Sequence, residues 1–146
     1  MATLLDLAKR VESIRDGVTE TSNKLKIQAA TKMLEYLVKE TPVDTTEALS
    51  NWQIGIGRPV NSELPPYAKG KGGSTASVSR NAAIHVGTQK LLTAKPGQAV
   101  YLSNLVPYIR RLNNGYSKPP GCCFVEAAIL IGRNFVKSVK LIRLRK

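Results

Sequence analysis

Cysteine, histidine and carboxylate side chains are the groups that could do covalent or acid–base work in this chain, and they are few. Cys122 and Cys123 are adjacent, and His85 is the only histidine. A zinc site takes about four such ligands at suitable spacing, and two neighbouring thiols with one distant imidazole do not supply them. The cysteine pair also lacks an obvious base, so it reads as small buried residues kept reduced in a cell. His85 reads as a structural side chain. Asp44 could pass for a catalytic acid, but Glu47 follows three residues later, which is the spacing of a helix capping box. Gly70-Lys71-Gly72-Gly73-Ser74 hints at a phosphate cradle. It lacks the glycine that a P-loop carries four intervening residues before its Gly-Lys-Ser/Thr group, and no strand precedes it. No Ser/His/Asp or Cys/His set stands at a recognisable spacing. The expectation is a protein that is not an enzyme, with no metal and no cofactor.

Charge is the chemistry that remains. The net charge is +12 over 146 residues, and it is unevenly placed. Residues 1–50 hold seven basic and eight acidic side chains, a net of −1; residues 51–146 hold fifteen basic and two acidic ones, Glu63 and Glu126, a net of +13. Self-repulsion on that scale is tolerated next to something negative, either nucleic acid or an acidic protein surface. The length suits one domain with a modest core. Aromatic content of 5 % leaves most packing to aliphatic and small side chains. No run approaches a membrane span. The first residues interleave charges with leucines, unlike a signal peptide, so synthesis in the cytoplasm is expected.

The elements that must carry these charges follow from periodicity. Residues 3–40 read as helix, because Leu4, Leu7, Val11, Ile14 and Val18 step by threes and fours. Gly17 and the Thr19–Ser22 cluster weaken the middle, so one bent helix and two helices both fit. This arm needs a surface to cover its stripe, its own sheet or a neighbouring subunit. Pro42 ends the helix, and the Asp44–Glu47 box starts a short one. Trp52, Ile54 and Ile56 alternate as a strand with one buried face, with Trp52 as a core anchor. Residues 57–74 hold glycines and prolines without periodicity and read as a long, mobile, basic loop. A helix is predicted from near Ser77, a turn at Pro96-Gly97 and a strand at Val100–Leu102. Pro107 opens a short helix that Asn113-Asn114-Gly115 closes. The last helix is predicted over about Cys123–Leu144, with Phe124, Ala128, Ile131, Phe135, Val139 and Ile142 on one stripe. Arg133, Lys137 and Lys140 lie roughly opposite.

Two stretches carry a family likeness. The segment NLVPYIRRLNNGYSKPPGCCFVEAAI resembles a pattern near the C-terminus of the neck and tail-completion (head–tail joining) proteins of tailed phages. There an Asn, a Pro-Tyr, a Gly-Tyr-Ser and a Pro/Gly loop lead into the last helix. Upstream, TPVDTTEALSNWQIGIG is similar to that group's Thr-Pro-Val-Asp-Thr-Gly followed by Leu, Trp and a strand. Thr46 stands where the family usually has glycine, Asn113 where it often has glutamate, and Cys122-Cys123 where a small-residue/Met pair is more usual. The resemblance implies an α+β fold: a long N-terminal helix and a C-terminal helix packed on a small, mostly antiparallel sheet of about four strands. It implies a structural virion protein that forms an oligomeric ring at the neck. Its partners would be the portal or adaptor and the tail tube or tail terminator, with possible contact to genome DNA in the channel and none to membrane. Candidate contact residues are Arg58, Lys69 and Lys71 on the loop, Arg110 and Arg111, and Arg133, Lys137 and Lys140 on the last helix. Tyr108, Tyr116, Pro119 and Pro120 are expected to shape the local fold. The competing reading is a basic nucleic-acid-binding protein, invited by a pI near 10. Against it, aromatic residues are not interleaved with the basic ones, and no helix-turn-helix or zinc pattern appears.

Overall fold

The structure is a computed structural model and describes residues 3–115 and 122–139. Its first element, α1 (Leu4–Glu40), is one continuous helix through Gly17. Thr3 caps it reciprocally with Asp6: the Asp6 N–H donates to Thr3 Oγ1 at 3.2 Å, and the Thr3 N–H donates to Asp6 Oδ2 at 2.9 Å. Those bonds hold the Asp6 carboxyl below its usual range, the backbone N–H of Thr3 contributing most. Thr41, extended ahead of Pro42, ends the helix.

Four short elements and one long helix then wrap the second half of α1. They are α2 (Glu47–Ser50), β1 (Gln53–Ile56), α3 (Ala76–Leu91), β2 (Val100–Ser103) and α4 (Ile109–Asn113), followed by α5 (Phe124–Ser138). The mixed α+β class stands. The sheet is smaller than expected, with two antiparallel strands among the described residues rather than about four. Ile54 faces Leu102 and Ile56 faces Val100 across it. Further strand is blocked beyond β1 because the chain folds straight back. The Arg58 carbonyl lies where a Cβ on residue 55 would go, so only glycine fits there.

The core joins Leu34, Leu37 and Val38 of α1 to Leu49, Trp52, Ile54, Ala83, Leu91, Phe124 and Ala128. Trp52 is the anchor the alternation implies. Its ring meets Phe124 edge-on at 6.4 Å, and its indole N–H donates to Thr41 Oγ1 at 2.7 Å. The end of α1 and the start of α5 are thereby fixed to one side chain. Glycines let both flanking helices approach α1 closely. Gly87 of α3 lies against Leu34, and Gly132 of α5 lies against Met33.

Three local readings need correction. The Asp44–Glu47 capping box does not form: Thr46 precedes α2 in the left-handed region, at φ 67°, without a side-chain cap bond. Asp44 Oδ1 instead accepts the Gly72 N–H at 3.1 Å. The final helix stops at Ser138 with Val139 extended, short of Leu144; residues 140–146 lie outside the described residues. The cysteines are exposed, not buried, because the chain turns through a left-handed Cys123 (φ 64°) to start α5. No helix among the described residues is long and apolar enough to cross a membrane.

Candidate partner-binding surfaces

The segment 57–74 is irregular in backbone, as its composition implies, and it is fastened to the body. Asn51 is wholly buried. Its Nδ2 donates to the Leu64 carbonyl at 2.8 Å and its Oδ1 accepts the Leu64 N–H at 2.7 Å. Gln53 Nε2 donates to the Ser62 carbonyl, and Ser50 Oγ accepts the Tyr67 N–H. The Ala68 carbonyl receives three hydroxyls, from Thr46 at 2.8 Å, Thr75 at 2.9 Å and Ser79 at 3.3 Å. These contacts satisfy loop backbone groups that water would otherwise serve, and they hold the loop's cations outward. Lys69 and Lys71 are exposed between the anchors. Arg58 is exposed in a cleft of about 230 Å³ beside β1 that it shares with Lys90, a residue the sequence reading passed over.

Arg110 and Arg111 stand exposed on α4. Arg110 borders a pocket of about 390 Å³ with Trp52, Asn104, Asn113, Val125 and Glu126. Asn113 ties α4 to α5. Its Nδ2 reaches both Glu126 oxygens at 3.1 and 2.9 Å, its Oδ1 accepts the Val125 N–H at 3.0 Å, and its own carbonyl accepts the Cys123 N–H at 2.7 Å. A residue from another helix thus satisfies N–H groups that open α5, the task of an N-cap. The Asn113 amide also draws the Glu126 carboxyl below its ordinary range.

Tyr108 does shape its surroundings. Its hydroxyl donates to Glu47 Oε2 at 2.8 Å and so joins α4 to α2. Burial first, then that bond, pushes its pKa up to about 12. Arg133 and Lys137 are exposed one turn apart on α5. Lys140, Tyr116, Pro119 and Pro120 lie outside the described residues. The placed cations therefore fall on two supports: Arg110, Arg111, Arg133 and Lys137 on the helices Asn113 joins, and Arg58, Lys69 and Lys71 on the fastened loop.

Ion pairing among the described residues is confined to one element. Both ion pairs among the described residues, Arg15–Asp16 at 3.2 Å and Lys24–Glu20 at 3.7 Å, lie on α1. Comparison with protein-family models, curated proteins and solved structures finds no match.

Proposed function

We propose that this chain is a structural protein of the tailed-phage neck, forming a ring that joins the portal or adaptor to the tail. The observation that carries the reading is the exposed set of cations on the loop, α4 and α5, none ion-paired among the described residues. The Asn-Pro-Tyr…Gly-Tyr-Ser and Thr-Pro-Val-Asp-Thr patterns point to the neck family. Cations held outward on a fastened frame suit docking onto an acidic surface, where complementary fields set register and partner choice. Glu47 of the upstream pattern and Tyr108 of the downstream one are hydrogen-bonded to each other. The two stretches that carry the likeness thus meet at that bond.

The test is assembly. Particles lacking the chain should appear in micrographs as full heads separate from finished tails. The Arg133→Glu/Lys137→Glu variant should fold and fail to complement them. Normal complementation would show that this face is merely solvated. A salt series with duplex DNA separates the competing class: a monomer whose DNA affinity falls steeply with salt would favour nucleic-acid binding instead.

A further inference from the structure

One face of α1 runs from Leu4 to Met33. At about 100° per residue, Leu4, Leu7, Val11 and Ile14 fall on the same side as Leu25, Ala29 and Met33. The first four are 57–86 % exposed, a seam of large aliphatic side chains in water. The other three floor an open groove of about 490 Å³, walled by Val100 and Leu102 of β2 and Val136 of α5. Lys26 also borders it, but its ammonium is committed to the carbonyls of Lys95 at 3.1 Å and Gln98 at 2.7 Å, which leaves the floor apolar.

Seam and groove belong to one unbroken helix, so the seam cannot fold back into its own groove. A second copy brings the missing half of each. We propose that Leu4, Leu7, Val11 and Ile14 of one copy seat in the Leu25–Ala29–Met33 groove of a second copy.

Two features favour that occupant. A single contact covers both open apolar surfaces, leaving neither in water. Ala29 at the centre of the floor is small, which admits a branched side chain between Leu25 and Met33. Because seam and groove are different patches, each copy gives one and receives one. A heterologous contact of that kind repeats until the chain of subunits closes. This inference rests on the ring reading and supplies its subunit contact.

Four exposed positions test it without disturbing the core: Leu7 and Val11 on the seam, Ser22 and Val136 at the groove. The Leu7→Lys/Val11→Lys and Ser22→Lys/Val136→Lys variants are compared with the unaltered chain by sedimentation velocity, with helicity followed by circular dichroism. Unaltered protein should associate. Each variant alone should keep its helicity and lose association by on the order of 100-fold, as charges placed in a desolvated contact do. Mixed in equal amounts, the two should form a dimer and stop there, since one intact seam meets one intact groove. Variants that associate like the unaltered chain, or a mixture that stays monomeric, would overturn the contact. If the unaltered chain assembles and both variants do too, the ring reading survives and only the seam–groove contact is lost. An unaltered chain that stays monomeric at the highest concentration overturns both.

Discussion

Alanine at Gly87 and alanine at Gly132 are the same chemical change in two helix interiors, and the structure assigns them different outcomes. Each gains about 0.8–1 kcal/mol of helix propensity. At Gly87 the new methyl falls on Leu34 Cδ2, well inside contact distance, and 3.5 Å from Ile54 Cγ1. Leu34 is fully buried, so it yields only by leaving its rotamer or pushing α1 and α3 apart. Overpacking of that kind costs about 1–3 kcal/mol, which leaves a net loss of about 1 kcal/mol. At Gly132 the methyl meets Met33 Sδ at 2.5 Å and Cγ at 3.1 Å. Met33 is only half-buried and borders the open groove, and its thioether turns about several bonds. Relief there costs about 0.5–1 kcal/mol, so the change comes out near zero or slightly favourable. For a domain of this length 1 kcal/mol moves Tm by about 2–4 °C. Thermal and urea unfolding of both variants should place Gly87→Ala below the parent and Gly132→Ala at or above it. A Gly87→Ala protein unfolding at or above the parent midpoint would refute the close α1–α3 packing.

Asn51→Ala removes three hydrogen bonds to Glu47 and Leu64 and leaves part-buried backbone groups unmatched. It should cost about 2–4 kcal/mol and speed tryptic cleavage after Lys69 and Lys71, read by mass spectrometry. Tyr108 has a folded pKa of about 12 against 10.0. The stability it contributes is whole below about pH 10 and is lost as pH rises toward 12. Tyr108→Phe should cost about 1 kcal/mol at neutral pH and flatten alkaline unfolding over that window. For Glu126 the sign reverses. Its lowered pKa contributes stability above the ordinary value of 4.5 that is lost as pH falls through the folded value. In Asn113→Ala an NMR titration should show the Glu126 carboxyl moved up toward that value, with the acid-side slope of stability reduced.

How much was legible depends on how local each cause is. The helices of residues 4–40 and 124–138 follow from their 3.6 period, and Trp52 from its alternation with Ile54. Gly132 is a contact point that no local rule announces, because the Met33 that needs it lies far away in the chain. Asp44 and Glu47 satisfy a local rule, but the Gly72 N–H takes Asp44, 28 residues on. The Thr3–Asp6 box meets no such competitor and forms. Thr46 had a signal of its own: it stands where the pattern it resembles usually has glycine, and its φ of 67° is one that glycine adopts freely. Burying Thr46 Oγ1 against the Ala68 carbonyl offsets part of the strain. The glycines and prolines of 57–74 announce an irregular path, whereas its fastenings at Asn51, Ser50 and Ser79 lie outside the segment. Exposure of Cys122 and Cys123 was equally hidden, since Asn113 does the capping that would otherwise fall to the residue before α5.

The 37 residues of α1 make a rod about 55 Å long. None of them before Val18 is even half-buried, so about 21 Å of that rod stands clear of the body. In the ring proposed above, the span between neighbouring centres would be a matter of rod length, not of body width. Excising the seven residues Arg15–Thr21, which spares the seam, would bring those centres about 10 Å closer and narrow the bore of the proposed ring.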